Sequence, residues 1–165
     1  MKVLALDIST KSTGWFITKR SCGLIEPSSE LSFPEKLSFF RQHVLALLKK
    51  YKPDIVVLED TYLRFNPSTL KKLSQFAGVA METCNSMNTE VRVITATQAR
   101  KNCCGEQPKG FKKREVFNYF VQKENFDEVC NRLFNRDCSF EEDNDITDAA
   151  ALARAVRVIL KRNNA

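Results

Sequence analysis

Short uninterrupted apolar runs alternate along this chain with apolar stripes at helical spacing, and their order predicts the fold. Val3-Leu4-Ala5-Leu6 and Ile55-Val56-Val57-Leu58 read as strands buried on both faces, and each run ends on a carboxylate, Asp7 and Glu59. The turn formers Ser9-Thr10-Lys11-Ser12-Thr13-Gly14 follow the first run and lead to a second short strand over 15–18, which predicts a hairpin. Gly23 and Pro27 weaken residues 22–32 into an irregular edge strand, and 90–95, with Val91, Val93 and Ile94, reads as a fifth strand.

Between these runs the period changes to that of a helix. Pro34 suits the first turn of a helix with the stripe Leu37, Phe40, Val44, Leu47, Leu48 and Tyr51, which Pro53-Asp54 ends. Asn66-Pro67 reads as an N-cap and first helical residue, leading Leu70, Leu73, Phe76, Ala77, Ala80, Met81 and Cys84. Gly78 inside this stripe costs about 1 kcal/mol relative to Ala, which predicts a close helix contact there. Residues 97–110 read as a basic loop, 112–125 and 127–135 as helices, and 145–161 as a last helix with Ile146, Ala149, Ala150, Ala153, Val156 and Leu160 on one side.

The order β-β-β-α-β-α-β-α-α-α predicts an α/β fold, a three-layer sandwich in which helices flank a mixed five-stranded sheet. Residues 1–165 are expected to form a single domain without internal repeats. No apolar stretch approaches a membrane span and the N-terminus has no signal-peptide layout, so a soluble, cytoplasmic protein with no membrane partner is expected. Six cysteines in apolar or irregular settings are expected as free thiols. Zinc is not expected, because the closest pair, Cys103-Cys104, is adjacent and His43 is the single histidine.

Charge is unevenly spread. Residues 124–148 carry a local balance of −7, which leaves +13 on the rest of a chain whose net charge is +6. Arg100, Lys101, Lys109, Lys112, Lys113 and Arg114 cluster against Glu106 alone, a pattern that suits DNA or RNA and equally suits a solvated surface.

Asp7, Glu59, Asp145 and Asp148 are the candidate chemistry, since carboxylates at the edge of apolar elements need a cation or several hydrogen-bond donors. Asp145 and Asp148 stand three apart and share one helix face, while two strand ends can bring Asp7 and Glu59 side by side. All four offer oxygen, which implies a hard cation, Mg²⁺ or Mn²⁺. Two such ions about 3.5–4 Å apart can drive phosphodiester hydrolysis. A plainer reading makes Asp145 an N-cap with Asp148 in the first turn, and lets Glu59 pair with a surface lysine. Asp143 stands as an alternative ligand to Asp145.

The joint pattern resembles the RuvC family of Holliday junction resolvases, within the RNase H-like nuclease superfold. The residues that carry the likeness are Leu6-Asp7-Ile8-Ser9 with Thr13-Gly14-Trp15, Val57-Leu58-Glu59-Asp60 with Tyr62, the segment from Ser68 to Ala80, and Asp145-Ile146-Thr147-Asp148-Ala149. Ile8-Ser9 stands where that family usually has Pro-Gly. The resemblance implies an endonuclease that resolves four-way and other branched DNA, with Asp7, Glu59, Asp145 and Asp148 holding two Mg²⁺ ions. It places Arg100 and Lys113 near the scissile phosphate and Tyr62 as a base-stacking residue, and it implies a homodimer built on the 67–84 helix. Tyr62 packed on the core is the plainer reading of that residue. Short length and a cysteine-rich background fit a phage or viral version. Two rivals stay open, an RNase H-like nuclease for hybrids or flaps and a non-catalytic DNA-binding module; residues 7–14 are also similar to the phosphate loop of sugar kinases and actin, but the chain is too short for that family's two domains and has no second Gly-rich phosphate loop.

Overall fold

Alternation along the two apolar runs decides which way every core side chain points. In a computed structural model that describes residues 1–60, 66–105 and 110–163, β1 (Val3–Ile8) pairs antiparallel with β2 (Thr13–Thr18) and parallel with β4 (Ile55–Glu59). The hairpin continues into β3 (Ser21–Ile25), shorter than the expected 22–32, and β5 (Glu90–Ile94) adds parallel to β4. The strand order is β3-β2-β1-β4-β5.

Leu4, Leu6, Val56 and Leu58 point to one face, where Phe40, Val44 and Leu48 of α1 (Phe33–Tyr51) and Phe76, Ala80 and Cys84 of α2 (Pro67–Ser86) cover them. Val3, Ala5 and Val57 point to the other, under α3 (Ala96–Cys104), α4 (Lys113–Glu124), α5 (Phe126–Phe134) and α6 (Phe140–Asn163). The sheet is thus the middle of three layers, as the sequence predicts.

The departures have local causes. Residues 96–104 are helical rather than loop: Thr95 accepts from the Gln98 N–H at 3.2 Å, and the Gln98 side chain accepts from the Thr95 N–H at 2.9 Å, a reciprocal cap. The last helix starts five residues before the expected Asp145, where the Ser139 hydroxyl accepts from the Glu142 N–H at 3.3 Å. It is also buried on more than one side, with Ala151, Leu152 and Ala155 enclosed along with the expected stripe. On α2, Met81 is 40% exposed and Gly78 has open space beyond it, so neither joins the core and the expected close contact does not occur among the described residues.

β5 is a sheet edge: Val93 is 45% exposed, and Arg92 pairs with Glu90 at 2.5 Å. None of the six cysteines is joined in a disulfide, and burial pushes the thiol of Cys22 up to about 12 and that of Cys84 up to about 11. No helix among the described residues is long and apolar enough to cross a membrane.

One glycine governs how α6 meets the sheet. Gly14 lies opposite Asp7 in the β1–β2 ladder, and a Cβ on it would fall 2.0 Å from the Asp145 carbonyl oxygen and 2.7 Å from the Ile146 nitrogen. Gly14→Ala therefore has to push α6 off the sheet, and denaturant unfolding is expected to show a loss at or above the upper end of the overpacking range, about 1–3 kcal/mol. Gly78→Ala meets nothing within 4 Å and is expected to gain up to about 1 kcal/mol in the same measurement.

Candidate active site

Asp7 and Glu59 owe their places to register. Leu6 pairs with Leu58, so the next step along the parallel pair sets Asp7 beside Glu59, and alternation turns both towards the α6 face. Asp7 is only 5% exposed, and Glu59 is half-buried at the strand end. The close approach at Gly14 brings α6 down beside them with Asp145 and Asp148 on one face, one turn apart. Both lie well inside the helix, so the reading of Asp145 as an N-cap does not hold.

Asp143 has a different task. Its carboxylate is fully buried and accepts from both terminal nitrogens of Arg136, at 2.8 and 2.9 Å, and from the Ser139 N–H at 2.9 Å. It anchors the start of α6.

Lys113, the first residue of α4, reaches into the carboxylates. Its Nζ lies 3.0 Å from Asp7 Oδ2, 3.3 Å from Asp145 Oδ1 and 2.9 Å from Asp148 Oδ2. Burial opposes its charge, but Asp7 and Asp148 outweigh burial and hold the ammonium protonated well above the usual lysine range. Burial pushes the carboxyl of Asp7 up to about 8; Lys113 opposes the rise, and Asp148, Glu59 and Asp145 add to it. Burial also raises Glu59, with Asp148 adding and Lys113 and Arg100 opposing. Asp148 is raised by burial against Lys113 and Arg100.

A hard divalent cation fits the chemistry of this donor set. The donors are carboxylate oxygens held in a desolvated corner where they resist ionisation, and a second positive charge relieves that resistance. Asp148 Oδ2 is fully buried, and among the described residues its close polar contact is the ion pair with Lys113 at 2.9 Å. Among the described residues no three acidic, histidine or cysteine side chains are already closed into a cage for an ion; Lys113 supplies the counter-charge between them. The open cleft beside the cluster, about 230 Å³, is lined by Asp7, Ser9, Thr10, Glu59, Thr69 and Lys113 among others.

The remaining basic candidates separate. Arg100 is half-buried near the cluster, its guanidinium donating to the Phe111 carbonyl at 3.2 Å. Lys101 and Lys112 are exposed. Arg114 turns the other way, stacking over Phe140 at 4.1 Å and reaching Glu141 at 3.5 Å. Tyr62 and Lys109 lie outside the described residues.

Ser12 belongs to the site without having been singled out from the sequence: its hydroxyl donates to Asp145 Oδ2 at 2.5 Å. A serine in a turn-forming run carries no signal of a partner 133 positions away. Ser9, at the departure from Pro-Gly, closes the turn with its own hydroxyl, which donates to the Ser12 carbonyl at 2.6 Å and accepts from the Ser12 N–H at 3.1 Å.

Comparison with known proteins bears on the same residues. The family model described as crossover junction endodeoxyribonuclease RuvC matches residues 7–155, from the first carboxylate past the last. The protein of that name from Lawsonia intracellularis is 30% identical over 113 residues, 64% of this chain and 67% of its own length. The one from Syntrophomonas wolfei is 27% identical over 131 residues, 74% of each. Among solved structures, Thermus thermophilus RuvC in complex with a Holliday junction substrate superposes with a TM-score of 0.74 at 13% identity, over 99% of this chain and 96% of that one. The yeast mitochondrial Holliday junction resolvase superposes with a TM-score of 0.67 at 11% identity, over 98% and 82%. At such identities the structural likeness speaks for the fold, and it is the RNase H-like, mixed-sheet fold expected from the sequence. A model match over nearly the whole chain, anchored on the strand and helix that carry Asp7, Asp145 and Asp148, makes this chain a member of the RuvC family of crossover junction endodeoxyribonucleases.

Proposed function

We propose that this chain is a structure-specific endonuclease that resolves Holliday junctions and related branched DNA by metal-dependent phosphodiester hydrolysis, with Asp7, Glu59, Asp145 and Asp148 as the metal-holding residues. The observation that carries the assignment of residues is the gathering of Asp7 from β1 and Asp145 and Asp148 from α6 around the Lys113 ammonium, beside an open cleft that Glu59 of β4 also lines. Two Mg²⁺ ions, with Mn²⁺ as a substitute, are the expected loading. When bound, such ions supply charge that activates water and stabilises the departing oxygen.

The chain's own groups do the rest. Asp7 and Glu59 sit at the ends of paired strands, which hold one side of the site. Lys113 is held protonated, and its flexible stem lets the same charge meet a phosphate oxygen in the cleft. Arg100 adds a second positive group next to Glu59 and Asp148. Exposed Lys101 and Lys112 offer backbone contacts, Lys109 is assigned to DNA as part of the same basic stretch, and Tyr62 by family likeness. A homodimer formed through the outer face of α2, where Gly78 and Met81 are exposed, would supply paired cleavage sites.

Matched four-way, flap, RNA:DNA hybrid and linear duplex substrates, each with Mg²⁺ or EDTA, test the reading directly. Symmetric nicking of the four-way substrate that requires the metal supports it; equal cutting of hybrid or flap overturns the junction preference. Asp7→Asn, Glu59→Gln and Asp148→Asn are each expected to lower cleavage by about 10²–10³-fold or more, the scale on which loss of one electrostatic stabiliser is felt. All three should still bind junctions in EDTA, because the basic surface is untouched.

Junction affinity is expected to fall with salt at a log–log slope of about −0.9 per phosphate contacted, and Lys101→Ala or Lys112→Ala should each reduce that slope by about 1. Titration of affinity against salt checks both.

Asp7 links pH to metal binding. Its pKa is raised from 3.8 to about 8, so the folded chain holds this proton more tightly than the unfolded one. Its contribution to stability is full below about pH 4 and is lost as pH climbs towards about 8. A cation that takes the deprotonated carboxylate is therefore expected to raise the melting temperature more at about pH 8.5 than at about pH 6. Asp7→Asn should flatten that difference in thermal melts with and without Mg²⁺.

A further inference from the structure

We infer that Ser12 is the positioning residue for Asp145, fixing the rotation of its carboxylate so that one oxygen is committed to the protein and the other is presented to the cation; this rests on the reading of Asp145 as a metal ligand.

Packing leaves Asp145 freer than the residues around it. Its side chain is 17% exposed, against 7% for both Asp7 and Asp148, so fewer neighbours limit its rotation. The Ser12 hydroxyl takes over that task by donating to Oδ2 at 2.5 Å, while Oδ1 faces the cluster 3.3 Å from Lys113 Nζ. A charge-assisted bond of this length is among the stronger hydrogen bonds a serine can make.

The serine is itself held. Three hydrogen bonds close the 9–12 turn: the Ser9 N–H and the Ser9 hydroxyl both donate to the Ser12 carbonyl, at 3.0 and 2.6 Å, and the Ser9 hydroxyl accepts from the Ser12 N–H at 3.1 Å. Two residues further on, Gly14 seats the Asp145 backbone against β2. One short segment thus fixes both ends of Asp145, its carbonyl through Gly14 and its carboxylate through Ser12. Hydrogen bonds that orient a ligand typically alter metal affinity by about 10–100-fold when removed, which sets the size of the effect.

The test compares wild type, Ser12→Ala, Ser12→Thr and Asp145→Asn. Mn²⁺ binding to the free protein is followed by calorimetry, and junction cleavage is followed against Mg²⁺ concentration. Ser12→Ala is expected to weaken Mn²⁺ binding and raise the half-saturating Mg²⁺ concentration by about 10-fold. Its junction binding in EDTA should stay at the wild-type value, and its melting temperature without metal should fall by no more than about 2–6 °C, the loss of one hydrogen bond to a charged group. Ser12→Thr keeps the hydroxyl and should stay within about threefold of wild type in both readouts, the remainder left by a conservative change. If Asp145→Asn weakens Mn²⁺ binding while Ser12→Ala does not, or if Ser12→Ala and Ser12→Thr weaken it equally, the role given to Ser12 is overturned. If Asp145→Asn binds Mn²⁺ like the wild type, Asp145 is no ligand, and that earlier reading falls together with this one.

Discussion

Carboxylates that repel one another have to be held together by something other than themselves, and here the hold is a contact between two backbones. At Gly14 the second strand lies so close to α6 that no side chain fits between it and the Asp145 carbonyl. Because Gly14 pairs with Asp7 across the hairpin, the same contact that seats the helix also sets its acidic face against the end of β1. The alanines that follow, Ala149, Ala150, Ala151 and Ala153, let α6 lie deep between the sheet and the outer helices. Helix, hairpin and parallel strand pair are thus fitted to one another around a position with no side chain of its own.

Gathering these charges works against folding, and the electrostatics record it. Burial and mutual repulsion raise Asp7, Glu59 and Asp148 above their ordinary values, while one ammonium, pinned at the start of α4, opposes the rise. Such local instability, offset elsewhere in the core, is common where a protein prepares to receive charge from outside. The paired hydrophobic layers of α1 and α2 on the far face contain no comparable conflict.

Much of this could be read from the chain because the decisive signals are local. The uninterrupted apolar runs 3–6 and 55–58 marked two buried strands that end on Asp7 and Glu59, and a parallel register made the two carboxylates neighbours. What escaped depended on helices whose stripes are faint. Residues 96–104 bury only Ala99 and Cys103 in a basic, polar run, so the Thr95–Gln98 cap was their one clear mark. The acidic start of α6 hid its first turn, and its many alanines blurred the buried face. Nor could spacing single out Lys113 among three consecutive basic residues. That choice is made by the phase of α4, which aims Lys113 inward and turns Arg114 onto Phe140.

The outer strand β5 has a consequence for how copies of the chain can meet. An edge of unpaired amides invites another strand, and an apolar edge invites it strongly. In β5 two of five residues, Glu90 and Arg92, are charged and bridge to one another along the rim. Extending the sheet across two molecules would bring like rims into apposition and strip water from those ions. Growth into a continuous ribbon is thereby disfavoured.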